Sequence, residues 1–398
     1  MIADLTATAK DPPTMLSAPL YFDYAATTPV DDRVIETMLT CLGRQVNFGN
    51  PASMGHAYGQ SARDAVEQAR QQVAERIAAS ADELVWTSGA TESNNLALKG
   101  IAQGLGQPGH LITSQLEHKA VLDTVNELER QGWAVTRLAP DAGGLIQPYD
   151  VQAALRADTR LVSLMAVNNE LGTVTDFAAI GQRVRAHGAL LHVDAAQAVG
   201  KLAIDLQAMA VDLMSFSAHK VYGPKGIGAL FVGPRARGLM RAQIHGGGHE
   251  RGLRSGTLAT HQIVGMGTAF ALAGQPGDSE HQRIEQLAKR LRDGLLALPG
   301  VSLNGCATQR IPHTLNLCIE APGFNSAALA SELALSTTSA CNSASNAASH
   351  VLLALGLDEQ RARKSVRVSI GRFTQQAEVE KAIEVFGRVV AAGSVALW

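Results

Sequence analysis

The residues with the most chemistry in them lie in Ser215-Phe216-Ser217-Ala218-His219-Lys220, where a short apolar run after Asp212 reads as a buried strand ending on a lysine. A Gly/Pro-rich turn, Val221-Tyr222-Gly223-Pro224-Lys225-Gly226, follows it. An amine held at a strand end, partly out of water, is neutral and nucleophilic more often than a solvated one, although a loop lysine at a sheet rim would read the same way. Upstream, Leu191-His192-Val193-Asp194-Ala195-Ala196-Gln197 is a second apolar run ending in an acid. Together they fit a pyridoxal phosphate site, which needs a lysine to hold the aldehyde and a carboxylate to keep the ring nitrogen protonated.

Other strand ends add to this. Leu84-Val85-Trp86-Thr87 leads into Ser88-Gly89-Ala90-Thr91, where a glycine before a helix lets backbone N–H groups approach a phosphate; an ordinary helix cap has the same residues. Ser217 and His219 offer further donors to that phosphate. His118 stands where an imidazole could cover a planar ring and carry protons, the alternative being a structural histidine. The stretch from Ser336 to His350 is small, polar and poor in apolar residues, so Cys341 reads as a thiol offered to a substrate and not as a core residue. A thiol of ordinary pKa, about 8.5, is mostly protonated at neutral pH, so its reaction needs a nearby proton acceptor.

Two patterns are set aside. Ser217-Ala218-His219-Lys220 matches the S-x-x-K of serine acyl enzymes, but no K-T-G follows and the lysine comes after a strand. His245-Gly246-Gly247-Gly248-His249 has metal-like ligands on glycines that suit a loop, so no metal is expected.

To position such residues the chain needs a sheet whose strand ends converge. From residue 84 onward strands and helices alternate, which predicts an α/β fold with a mostly parallel sheet flanked by helices. In such sheets ligands bind beyond the carboxyl ends of the strands, where Thr91, His118, Asn169, Asp194, Gln197 and Lys220 all fall. Expected helices include 34–42 after Pro29, Asp31 and Asp32, and an amphipathic segment over 60–79. Short strands near Leu315–Ile319 and Val366–Ile370, with helices around them, read as a smaller α+β domain. The division expected is a loose arm over 1–20, a large domain over 21–259 and a small domain over 260–398 that carries the 336–350 loop.

With 46% hydrophobic and 18% charged residues in 398, the composition is that of a soluble globular protein with a large core. A net charge of -2 argues for no nucleic-acid or membrane surface. No run reaches the roughly 18 apolar residues of a membrane span, and the first residues lack a secretory signal, which suggests the cytoplasm. Cys41, Cys306, Cys318 and Cys341 are scattered without a C-x-x-C pair, so reduced thiols are expected.

The motifs YFDYAATTPV, FGNPAS, TSGATESNN, EHKAVLDT, VNNELG, HVDAAQ, SFSAHKVYGPKGIG, HGGGHERGLRSGT, SACNSAS and SVRVSIGRF, in this order, closely resemble the NifS/IscS type of cysteine desulfurase, within the fold-type I, class V aminotransferase superfamily. The resemblance spans residues 20–375. It implies a homodimer with pyridoxal phosphate on Lys220, Asp194 on the pyridine nitrogen, Gln197 on the phenolic oxygen and His118 over the ring. Ala90, Thr91, Ser217 and His219 would hold the phosphate, joined by Thr257 of the partner subunit. Arg367 and Asn169 would take the carboxylate of L-cysteine. Lys220 would move its α-proton and Cys341 would attack its sulfur, leaving L-alanine and a persulfide for a sulfur-acceptor protein.

Departures from the family pattern cluster in one place: Ser-Thr-Thr-Ser-Ala precedes Cys341 where a glycine among serines is common, and Asn342 replaces the usual threonine. The chain also stops at Trp398, short of the tail of scaffold-binding members, so acceptors in iron-sulfur assembly and in tRNA or DNA thiolation all remain candidates. A selenocysteine lyase on the same fold and a non-catalytic sulfur carrier are the rival readings.

Overall fold

The computed structural model describes residues 18–44, 47–337 and 348–395. Most of the expected N-terminal arm, and Cys341 with the rest of 338–347, therefore lie outside the described residues.

After Leu20–Tyr21 (β1), the strands Leu84–Thr87 (β2), His110–Ser114 (β3), Ala134–Leu138 (β4), Thr159–Met165 (β5), Leu190–Asp194 (β6), Leu213–Ser217 (β7) and Gly228–Val232 (β8) follow. The sheet order is β2-β8-β7-β6-β5-β3-β4. All neighbours pair in parallel except β8, which is antiparallel to both β2 and β7. Its direction follows from chain length: the turn carrying Lys220 is too short for a crossover, so the next strand has to return. The parallel strands are linked instead through helices, among them Ala90–Leu105, Lys119–Arg130 and Phe177–His187.

Side-chain alternation builds a core on each face. Trp86, Ile112, Val162, Val193 and Phe216 enter one buried cluster, and Val85, Leu111, Leu161, Leu190 and Leu213 the other. Every one of these runs is apolar at both parities because helices cover both faces.

A second sheet holds Val301–Leu303 (β9), Thr314–Ile319 (β10), Ser336–Thr337 (β12) and Ser365–Ser369 (β13), while Leu333–Ala334 (β11) pairs in parallel with β1. Its order is β12-β13-β10-β9, antiparallel throughout. Helices Ser279–Leu296 and Gln376–Val395 pack on it around Leu291, Leu317, Val366, Val368 and Phe386. Phe22 sits in this core too, so the chain starts beside the small sheet and then crosses to the large one.

The two layers are pinned where Arg372 Nη1 meets Asp31 Oδ2 at 2.8 Å with both side chains buried. The same guanidinium lies 4.3 Å from the ring of Tyr222. Helix bounds differ slightly from those expected: the first runs Asp32–Leu39 and the second Ala57–Arg76. His56 starts the second one early, its side chain accepting from Gly59 N at 3.1 Å, a capping role that propensity alone does not signal. No helix among the described residues is long and apolar enough to cross a membrane.

Candidate active site

The carboxyl ends of β2, β3, β5, β6 and β7 open onto one cavity of about 610 Å³, a size typical of small-molecule sites. Ala90, Thr91, His118, Asn169, Asp194, Gln197, Ser217, His219, Lys220 and Arg367 all line it. Convergence of this kind is what the non-sequential strand order achieves, because residues far apart in the chain end neighbouring strands.

Lys220 follows β7 in a single 3-10 turn, Ala218–Lys220, and its Nζ donates to Ala25 O at 2.8 Å and Ala26 O at 2.6 Å. The amine is thus held by backbone carbonyls from the segment after β1. On β6, whose register sets Asp194 beside Met165 and Ser215, the Asp194 carboxylate accepts from Asn94 Nδ2 at 2.7 Å and from Ala196 N at 3.0 Å. Gln197 is oriented at both ends. Its Oε1 accepts from Lys201 Nζ at 2.7 Å, and its Nε2 donates to Ala25 O at 2.7 Å. With the oxygen occupied, the amide nitrogen is the end left to donate to a ligand oxygen. Burial first, then the charges of Lys220 and Arg367, bring the Lys201 amine down to about 7.

His118 caps the helix Lys119–Arg130, its Nδ1 accepting from Ala120 N at 3.1 Å, so the neutral ring carries its proton on Nε2. Burial holds its pKa below the ordinary value, helped by Lys220 and His350 and opposed by Asp194 and Glu170. A neutral imidazole at neutral pH can cover an aromatic ring and still exchange a proton. Its neighbour Glu117 is buried, with Oε1 accepting from Ser114 Oγ at 2.6 Å and Met165 N at 3.1 Å. Oε2 has no partner among the described residues, so nothing offsets a charge there.

Burial is the first cause that pushes the Glu117 carboxyl up to about 8. A folded chain that keeps this proton gains stability that is complete below the ordinary glutamate pKa and is lost as pH rises through about 8. Glu117→Gln removes that dependence. The melting temperature of the variant relative to wild type should therefore rise between about pH 5 and about pH 8, and a difference that stays flat would show an ionised carboxylate in the fold.

The helix Ala90–Leu105 opens at Gly89, on the wall of the cavity. Gly89 takes φ 149°, a backbone conformation open to glycine, and a Cβ built on Gly228 would stand 2.6 Å from its Cα. Ser217 and His219 line the same cavity as Gly89 and Thr91, with Ser217 Oγ 3.9 Å from where a Cβ on Gly89 would stand, and His219 Nδ1 lies 3.1 Å from Thr27 Oγ1. Burial, then Lys220 and Lys225, lower the His219 pKa to about 4, which leaves a neutral N–H donor. The donor set therefore suits pyridoxal phosphate: an amine for its aldehyde, a buried carboxylate for its ring nitrogen, an amide N–H for its phenolic oxygen and a helix N-terminus with hydroxyl and imidazole donors for its phosphate.

Arg367, on β13, reaches the cavity from the small sheet. Its Nη1 donates to Asn169 O at 3.0 Å, and its Nη2 to Asp23 Oδ1 at 2.8 Å and Ser336 Oγ at 2.7 Å. Thr257 is exposed and does not line the cavity of its own chain. Cys341 lies outside the described residues, but Ser336, which precedes it, lines the cavity.

Asn94, Asp23, Glu117 and Lys201 were absent from the residues expected at the site. Asn94 had a signal, one helical turn beyond Ala90 on the same face of its helix. Asp23 had none, because only its long-range bridge to Ser369 on β13 brings it to Arg367.

Residues 20–382 match the family model described as Aminotransferase class-V. The chain is 56% identical over 369 residues to the Cysteine desulfurase IscS of Azotobacter vinelandii (strain DJ / ATCC BAA-1303), covering 92% of this chain and 91% of that protein. Among solved structures, a NIFS-like protein superposes with TM-score 0.86 at 34% identity, covering 94% of this chain and 100% of its own. SspA in complex with cysteine superposes with TM-score 0.80 at 41% identity, over 89% of this chain and 100% of its own.

Proposed function

This chain belongs to the class-V aminotransferase family and is a cysteine desulfurase, and from that premise we propose that Lys220, His118 and Cys341 take sulfur from L-cysteine, with pyridoxal phosphate as cofactor, leaving L-alanine. The observation that carries the reading is the meeting of Lys220, Asp194, His118 and Arg367 in one cavity from separate strands.

Pyridoxal phosphate, when bound, supplies an aldehyde for an amine and a ring that draws electrons from the substrate Cα. Lys220 would hold it, Asp194 would face the ring nitrogen, Gln197 Nε2 the phenolic oxygen, and Ala90, Thr91, Ser217 and His219 the phosphate. His118 would cover the ring. Arg367 and Asn169 orient the substrate by its carboxylate. Lys220 Nζ then moves the α-proton, and His118, neutral at its lowered pKa, can accept a proton within the same cavity. The Cys341 thiolate attacks the substrate sulfur: an S–S bond forms, the Cβ–S bond breaks, and the electron pair left on Cβ takes a proton to give alanine. The persulfide is passed to an acceptor protein, in iron-sulfur cluster assembly or in thiolation of tRNA or DNA.

The working unit in this reading is a homodimer in which Thr257 of the partner subunit completes the phosphate site. Supporting it, six large apolar side chains, Ile35, Leu39, Leu42, Phe48, Met54 and Tyr58, are exposed on the single chain, more than an isolated surface usually leaves in so short a segment. Light scattering should give twice the 41.8 kDa chain mass, with Leu39→Glu plus Leu42→Glu shifting the protein toward monomer; a wild-type monomer would contradict the assignment. We place the protein in the cytoplasm, where thiols stay reduced, and recovery in an envelope fraction would contradict that. The reaction itself is tested by incubating the holoenzyme with L-cysteine and measuring alanine and protein-bound persulfide. Equal amounts in a single turnover support the reading, and alanine without persulfide sinks it.

A further inference from the structure

Arg367 carries five N–H donors, and a carboxylate meets them at two points only along an edge formed by Nη2 with either Nε or Nη1. Both hydrogens of Nη2 are already engaged, by Asp23 Oδ1 at 2.8 Å and by Ser336 Oγ at 2.7 Å. Nη1 gives one to Asn169 O at 3.0 Å, while the buried Nε has no partner among the described residues. The two-point edges are therefore each half taken.

The occupants are held there by architecture. Ser336 stands opposite Arg367 across β12 and β13, and Asp23 forms a parallel bridge to Ser369 on the same strand. Ser336 Oγ also donates to Asp23 Oδ1 at 2.9 Å, which closes a triangle of three side chains. Asp23 lines the cavity and its side chain keeps 20% exposure against 4% for Arg367, so the carboxylate has solvent to move into while the guanidinium does not.

We propose that Asp23 is a specificity-determining residue, an internal carboxylate that competes with the substrate carboxylate for Nη2 of Arg367 and sets how tightly an amino acid is held. The inference rests on the reading that Arg367 binds the substrate carboxylate. A substrate gains its two-point contact only by displacing Asp23 or Ser336 from Nη2, and the Asp23 charge, displaced or still nearby, disfavours any ligand with a second negative group on that side.

The test uses 3-mercaptopropionate, which has the thiol and carboxylate of cysteine but no amine to join the cofactor, titrated calorimetrically into the holoenzyme. Asp23→Asn keeps the shape and removes the competing charge, and its Kd should fall about 3- to 10-fold, with KM for L-cysteine moving the same way. Ser336→Ala frees the other Nη2 hydrogen and should tighten binding by a smaller factor, which keeps the proposal testable if Asp23→Asn does not fold. Arg367→Ala should weaken binding on the order of tenfold or more. If Arg367→Ala weakens binding while Asp23→Asn leaves it unchanged or weaker, the competitor role is wrong and the Arg367 reading stands. If Arg367→Ala leaves Kd unchanged, both fail.

Discussion

Lys220→Ala is expected to lower turnover of L-cysteine on the order of 10³-fold or more and to abolish the visible absorption band of a covalently held cofactor. The size of the effect follows from the number of roles the proposed reaction gives to one Nζ: it would anchor the aldehyde and it would move the substrate α-proton. Lys201, whose amine is brought down to about 7, is committed to Gln197 Oε1 at 2.7 Å. Lys220→Arg is the informative companion, because it keeps a cation near Ala25 O and Ala26 O but offers no amine that can be deprotonated at working pH. A Lys220→Ala protein that keeps its band and more than about a tenth of wild-type turnover would return this residue to the status of a loop lysine at a sheet rim.

The second large effect belongs to Cys341→Ala. Persulfide on the protein should vanish and alanine formation from L-cysteine should fall on the order of 10²-fold or more, since the sulfur would have to leave without a nucleophile to receive it. Cofactor binding and the spectral response to L-cysteine should persist, because Lys220, Asp194 and Arg367 are untouched. That pairing separates the chemistry from the scaffold. If Cys341→Ala keeps normal alanine production, the nucleophile is misassigned. If it is slow on cysteine but fast on selenocysteine, whose weaker carbon-selenium bond needs less help, the enzyme is a lyase of the kind considered from the sequence. If neither wild type nor variant turns cysteine over, the chain is a sulfur carrier on an enzyme fold.

Much of this cavity is legible in the sequence. Parallel sheets deliver their strand ends to one edge, so polar residues closing apolar runs, such as Asp194 after Leu190–Val193 and Lys220 after β7, announce a shared cavity from local pattern alone. The helix opening at Ala90 was readable for the same reason, as chemistry confined to a few neighbouring residues, whereas the capping role of His118 emerged only from the fold. The turn that places Lys220 also reverses β8, but nothing within those residues says that β8 will insert between β2 and β7.

What the sequence determined by itself was the kind of side chain on offer, an amine, a carboxylate, an imidazole and small donors, and that those of the large sheet close successive strands. What only the tertiary structure decided was their company. Ser336 reaches Arg367 because β12 pairs with β13, Asp23 does so because the segment after β1 bridges to Ser369 on β13, and Ala25 O and Ala26 O reach Lys220 because the chain crosses from there to the large sheet. Backbone carbonyls have no residue identity to read, and a contact across hundreds of residues depends on strand order, which is set by how the apolar faces pack and not by any local run of letters.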